Sequence, residues 1–400
     1  MPRKSHIRLM FTSRWIRWAL FRQLCKWVPA LGRSLNFPLK TSFVGEFAHS
    51  VVEDEMQELA FAPEDLELAR NVLLAAMAND AGDTSTYPTG KTPLRSVLFR
   101  VDHCIVTGNT MMVMDESGSS VLKLWPGDAN WNEAKPALLK SRRAPPAPAY
   151  TVTSNGHFYH FFASDVIPLL YFLRRYGTEI GAMTIITKSS YPPYINHTLR
   201  AITSAYKNIE ILELDKTERL MDVSALWLAR YPNTFEWMPV TRDEANDLGQ
   251  LLCDYYQLPP APAPDKLLFV SRGDARLRRL VNEAELMAEL LDYDFEFFLP
   301  KSNDHKSQIE AFRTARIVIS VHGAGLTNLL FCQPGTLVIE LFPANHIKST
   351  YCWLAMRLGL RYRAVIGFSG DYVQAFTVKV PLVIAEVEAE LENNHRTALP

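Results

Sequence analysis

From Tyr150 onward the chain alternates helix-length runs with short apolar runs, the rhythm of a parallel sheet covered by helices. Residues 161–176 predict a helix ending at Gly177, and 183–187 a strand. A helix reaching Tyr206 and a strand at 209–214 follow. The last third repeats the pattern more strongly, with a strand at 267–270, a helix at 282–291 capped by Asn282, and a strand at 295–299. Residues 308–314 lie in a helix and 317–321 form a buried strand, followed by a glycine turn and a helix from Leu326. Residues 336–340 predict another strand and 350–358 a helix. Earlier, the apolar runs at 96–99, 103–106, 110–114 and 121–124 are split by polar turns, and the break at 115–118 favours a hairpin. That part reads as a β-rich lead-in.

Two proline-dense stretches, 145–148 and 259–264, support neither helix nor central strand and read as linkers. The expected organisation is therefore a segment at 1–45, the lead-in at 46–149, an α/β domain at 150–258 and a second α/β domain at 265–365. A closing segment, 366–400, is expected to return to the N-terminal half. Two such halves put a ligand cleft between them, at the carboxyl ends of the strands.

Composition narrows the function classes. A chain of 400 residues with 48% hydrophobic and 21% charged residues is a globular protein of about two domains. Its net charge of −1 offers nucleic acid no field, so an anionic partner needs a local site. The five cysteines form no CxxC and suit a reducing compartment; Cys104, Cys332 and Cys352 read as core fillers. Residues 1–45 hold nine Lys or Arg, no acid, and Trp15, Trp18 and Trp27. Such a segment fits an anionic membrane surface, or equally a helix packed on its own domain.

The candidate chemistry centres on RIVISVHGAGLTNLLF, residues 316–331. An apolar strand runs into His322-Gly323-Ala324-Gly325 and a helix begins directly, so backbone N–H groups and the helix dipole favour phosphate at the turn. A strand-to-helix turn with no ligand fits the same string. Arg272 follows the strand at 267–270, where a guanidinium suits a diphosphate; a surface pair with Glu283 or Asp274 is its other reading. Glu340, at the expected tip of its strand, is a candidate acceptor for ribose hydroxyls, or a helix cap. Asn328 is placed to orient the glycine loop.

The string from Ser271 to Leu286, SRGDARLRRLVNEAEL, and VHGAGLTNLLFCQPGTLVIELFP, from Val321 to Pro343, resemble glycosyltransferase family 61. The first contributes Arg272 and Glu285 as expected donor-binding residues, the second His322, Gly323, Ala324, Gly325, Asn328 and Glu340. The resemblance implies an α/β fold of GT-B type, with two Rossmann-like domains facing a cleft, inversion at the anomeric carbon and no required metal or other cofactor. It also implies a nucleotide-sugar donor, UDP-linked for preference, and a glycan or lipid-linked acceptor in bacterial polysaccharide assembly. The enzyme is then expected in the cytoplasm, peripheral to the membrane through residues 1–40. YHFFASDVIP, residues 159–168, resembles a weaker element of the family in which His and Asp stand four apart; here His160 and Asp165 stand five apart.

An inverting transfer needs a base for the acceptor hydroxyl and stabilisation of the leaving diphosphate. His160 or Asp165 is the expected base, with His157 as an alternate, and Arg272 and His322 the expected anion clamp. Asp292-Tyr293-Asp294 has the form of a metal-binding Asp-x-Asp but reads as a solvated turn. Two other functions stay open: a sugar-nucleotide epimerase or hydrolase using the same phosphate cradle, and a binding scaffold without catalysis, for which the five-residue spacing is the hint.

Overall fold

The computed structural model describes residues 40–43, 50–56, 94–107, 113–115, 120–123, 141–143, 148–152, 157–214, 220–230, 238, 240–273, 275–300, 304–369 and 374–397. The basic aromatic segment 1–39 lies outside them. The strands of the first half are β1 (Lys40–Phe43), β2 (Ser50–Met56), β3 (Leu94–Thr107), β4 (Val113–Asp115), β5 (Ser120–Lys123), β6 (Ser141–Arg143), β7 (Ala149–Thr151), β8 (Met183–Lys188), β9 (Ile209–Leu214) and β10 (Leu220–Arg230). They form one sheet in the order β1-β5-β4-β3-β10-β7-β8-β9, with β2 also on β3 and β6 also on β10. β7, β8 and β9 are mutually parallel, whereas β3 runs antiparallel to β10. The second half holds β11 (Lys266–Val270), β12 (Glu296–Phe298), β13 (Ala315–Val321), β14 (Leu337–Pro343), β15 (Arg361–Ser369) and β16 (Phe376–Thr377), in the order β12-β11-β13-β14-β15-β16. All its pairs are parallel except β15 with β16.

The helices are α1 (Phe158–His160), continued by a π-helical turn (Phe161–Val166) into α2 (Ile167–Ile180), then α3 (Pro193–Ala205), α4 (Arg242–Tyr256), α5 (Glu283–Leu291), α6 (His305–Arg313), α7 (Thr350–Arg357) and α8 (Val380–Thr397). A 3₁₀ helix spans Ala324–Phe331. β14 is buried along its whole length because helices cover both faces of its sheet. Val338 and Phe342 pack into a core shared with the first half, while Leu337, Ile339 and Leu341 pack into a separate one with Val383 and Val387 of α8.

The shared core joins the halves. His305, at the start of α6, is buried among Phe158, Phe162, Tyr194 and Phe331. Its Nδ1 lies 3.1 Å from the Tyr256 hydroxyl, which is 2.8 Å from Nδ1 of His197. Burial pushes the His305 imidazole down to about 3, with the nearby His197 adding to the effect, so it is neutral. The proline linker is pinned as well: Arg313 donates to the Pro259 carbonyl (2.6 Å) and Gln333 to that of Pro262 (2.8 Å).

Several sequence expectations need correction. The runs 96–99 and 103–106 belong to a single strand, β3; Arg100 and Asp102, which look like a break, lie on either side of buried Val101 and pair with each other at 2.9 Å on the opposite face. The first helix breaks at Tyr176 (φ −127°, ψ 19°), beside the expected stop at Gly177, and a further turn runs to Ile180 before Gly181 at φ +68°. The helix after the glycine turn is 3₁₀ and begins at Ala324. Asn282 sits at the start of α5 but caps nothing: its amide donates to the Val378 carbonyl (2.9 Å) and its oxygen accepts from the Val378 N–H (3.1 Å). That clamp helps hold α8 on the second sheet, where Arg361 forks onto Glu390, so the final helix does not return to the first half.

Candidate functional site

Parallel pairing brings the carboxyl ends of β11, β13 and β14 side by side, so the loops after them meet. Ser271 and Arg272 follow β11, and His322 and Gly323 follow β13. The guanidinium of Arg272 lies directly over Gly323: a Cβ built there would stand 1.6 Å from Nη1 and 2.5 Å from Cζ. Gly323 has φ 163°, ordinary extended backbone, so glycine is required there for space and not for conformation. At Gly325 a Cβ meets only Pro300 and Val270, at 3.6 and 3.7 Å. Asn328 is fully buried and donates to the Gly325 carbonyl (3.0 Å) and to Gln308 Oε1 (2.9 Å), which fixes the floor of the turn.

Behind the turn sits a buried polar group. His322 Nδ1 lies 2.6 Å from Glu340 Oε1, and Tyr362 donates its hydroxyl to Glu340 Oε2 at 2.5 Å. Burial raises the Glu340 carboxyl to about 8, against the opposing pull of the Tyr362 hydrogen bond and the Arg278 charge. The His322 ring stacks on Phe342, with centroids 5.2 Å apart, and lies 5.4 Å from Tyr351 and 5.5 Å from His346. Arg278 Nη1 reaches His346 Nε2 at 2.8 Å. Burial lowers the Arg278 guanidinium, and the neighbouring positive charge of Arg272 lowers it further. Two guanidiniums and two imidazoles thus gather over a helix N-terminus, an arrangement that suits a bound polyanion.

Glu340 is not the strand-tip acceptor expected from sequence. β14 continues to Pro343, so Glu340 lies inside it with no exposed surface, and it meets His322 instead of a ligand. Glu285 is also displaced from its expected role: it is exposed on the first turn of α5 and accepts from Asn282 at 3.1 Å. Its neighbour Glu283 reaches the end of β11 instead, accepting from the Ser271 hydroxyl at 2.5 Å, with its Oε2 buried and unbonded. Sequence reasoning missed Glu283, Arg278 and His346 as members of the site. Four arginines between 272 and 279 are visible in the string, and Arg278, at φ 59°, turns back to His346.

The helix carrying His160 and Asp165 faces this turn. Tyr159 lies 5.9 Å from Tyr351, the ring that borders His322. The His160 imidazole is lowered by burial and by His157, whose ring is 6.0 Å away; the charge of Asp165 opposes both. Asp165 is buried, and Tyr150 donates to its backbone carbonyl at 2.8 Å. Between the two residues the helix is π-type, with the Ile167 N–H bonded to the carbonyl of Phe162 five residues back. Side chains five apart share a face in such a turn, as those four apart do in an α-helix. The extra residue that separates His160 from Asp165 is therefore absorbed locally, which removes the sequence hint of a degenerate site.

Among the described residues no group of three His, Cys, Asp or Glu is arranged to hold a metal ion, and the Asp292-Tyr293-Asp294 string forms a turn with both aspartates exposed. A groove of about 600 Å³ opens between α4, the proline linker and residues 330–334, at the end of the 3₁₀ helix opposite the glycine turn, lined by Arg242, Cys253 and Arg313.

The family described as Glycosyltransferase 61 matches residues 158–339, a span that starts at the helix of His160 and includes Arg272, the glycine turn and Asn328. Over that span the chain is similar to glycosyltransferase family 61. The chain is also similar to the protein O-linked-mannose β-1,4-N-acetylglucosaminyltransferase 2 of Mus musculus, at 24% identity over 46% of this chain and 35% of the relative. It is 33% identical to the EGF domain-specific O-linked N-acetylglucosamine transferase of Drosophila melanogaster over 27% of this chain and 21% of the relative. A β-1,2-xylosyltransferase of Oryza sativa matches at 23% over 53% of this chain and 49% of the relative. The chain thus spans a fifth to a half of the length of these relatives. The matched span begins at the helix of His160 and ends within β14, so it takes in the carboxyl ends of β11 and β13.

Proposed function

We propose that this chain is an inverting glycosyltransferase that moves a sugar from a nucleotide diphosphate donor to a hydroxyl of a glycan or lipid-linked glycan. The observation that carries the reading is the position of the Arg272 guanidinium over Gly323, beside Arg278 and His322, at the carboxyl ends of parallel strands. These groups bind the diphosphate and stabilise its charge as the glycosidic bond breaks, without calling on a metal. His160, brought onto the face of Asp165 by the π-turn, takes the proton of the attacking hydroxyl from across the cleft, in a GT-B arrangement of the two halves. The relatives transfer N-acetylglucosamine or xylose by name, which favours a UDP-linked donor. Bacterial polysaccharide or capsule assembly, with the enzyme cytoplasmic and residues 1–40 on the inner face of the membrane, remains the favoured setting.

The test is a thermal-shift and calorimetric screen of UDP, GDP, CMP and their sugars, with and without chelator, on the wild type and His322→Ala. Tight, chelator-insensitive binding of one nucleotide, lost in the variant, supports the reading. Failure of every nucleotide to bind refutes it.

A further inference from the structure

We infer that the buried His322–Glu340 pair is a proton store that switches Nε2 of His322 from acceptor to donor, so that the site takes up a proton when it binds a diphosphate. The inference rests on the donor-site reading above and assigns Glu340 a positioning role through His322.

The argument begins with the ring. Nδ1 of His322 is committed to Glu340 Oε1 at 2.6 Å, and the geometry of imidazole directs Nε2 to the opposite side. With two protons on the pair, either Glu340 is neutral and donates to Nδ1, or Glu340 is ionised and both ring nitrogens carry hydrogen. Nε2 carries N–H in both cases. With one proton, Glu340 is a carboxylate accepting from Nδ1–H, and Nε2 presents a lone pair. A phosphate oxygen is accepted by the first state and repelled by the second. Binding at Nε2 therefore selects the two-proton state, and above the apparent pKa of the pair the missing proton comes from solvent.

The surroundings set where this happens. Burial favours the neutral carboxyl and raises Glu340 to about 8. The groups that face the pair are Arg278 and Arg272 after β11, His346 after β14, Tyr351 and Cys352 on α7, and Tyr362 on β15. The Arg278 charge and the Tyr362 hydrogen bond favour the carboxylate. A diphosphate arriving beside the arginines offsets their charge, which draws the proton in more strongly. Tyr362 donates to Oε2 in both states and keeps Oε1 for His322.

The experiment is calorimetry of UDP on the full chain between pH 7.4 and 8.8, in two buffers of different ionisation enthalpy. In this range the terminal phosphate of UDP is already ionised, its second pKa lying near 6. Proton uptake should rise with pH toward one per UDP bound, while affinity falls toward tenfold per pH unit. In Glu340→Gln the amide donates permanently to Nδ1, so both the slope and the uptake should vanish. Tyr362→Phe removes a hydrogen bond from the carboxylate and should move the break in affinity to higher pH, a readout that does not depend on the first variant folding. UDP binding with no proton uptake and a flat affinity in the wild type overturns the inference and leaves the donor site standing. Absence of UDP binding at every pH overturns the donor-site reading and this inference with it.

Discussion

Gly323→Ala tests the site at its tightest contact. The new methyl would stand 1.6 Å from Nη1 of Arg272, so the guanidinium must withdraw by about 1.8 Å to reach ordinary contact near 3.4 Å. The backbone at φ 163° accepts alanine without strain, and the obstructing group is the far end of a flexible side chain. Stability should therefore change by less than about 1 kcal/mol, as for a substitution away from core, caps and strained backbone. Binding should suffer more, because a charge-assisted hydrogen bond is worth about 1.5–3 kcal/mol, or roughly 10- to 150-fold in Kd. Arg272→Ala should cost a similar amount, and the double variant little beyond either single one, since both remove the same contact. Gly325→Ala is the control, its methyl meeting Pro300 and Val270 at ordinary distances. Calorimetry with UDP and thermal unfolding on all four variants decide it. Full additivity of Gly323→Ala with Arg272→Ala, or wild-type binding in Gly323→Ala, would refute the reasoning.

Other outcomes follow from the same geometry. His160→Ala should lower kcat by about 100-fold or more while leaving UDP affinity nearly intact; a parallel loss of affinity in calorimetry would reassign the residue to donor binding. Since burial lowers the His160 imidazole and a base works unprotonated, kcat should hold from neutral pH down to about 6.5 and fall only at lower pH. Asp165→Asn should move that limb to still lower pH, because the aspartate charge raises His160. His305 binds its proton in the unfolded chain below about pH 6.5 but in the folded one only near 3. Its contribution to stability is thus whole above pH 6.5 and shrinks as pH falls toward 3; urea midpoints at pH 5 and 7.5 should differ less in His305→Gln than in the wild type. Deleting Ser164 should be tolerated, since it turns the π-turn into plain α-helix with the two groups four apart; loss of folding by circular dichroism would contradict this.

Most of the second half was legible because its signals are local. Uninterrupted apolar runs such as 317–321 announce strands buried on both faces, and the glycines mark the turn that follows. What could not be read depends on the third dimension. Glu340 looks like a strand tip until the strand is seen to continue through a proline at its end. Arg278 and His346 are far apart in the chain and meet only through a left-handed backbone step. Glu283 and Glu285 are indistinguishable in composition, and only the phase of α5 turns one of them toward Ser271. β10 escaped notice because its partner β3 lies more than a hundred residues earlier. The five-residue spacing of His160 and Asp165 read as damage because helical spacing was assumed to be four.

The pinned proline run also bears on the mechanics of the molecule. A stretch whose carbonyls are held by Arg313 and Gln333 behaves as a strut bolted to one side, not as a rope between two bodies. Any opening and closing of the halves must then be taken up at the core they share, with His305 as the pin seated in its aromatic socket. Lengthening the strut would leave that pin in place, whereas drawing the pin would let the two halves part.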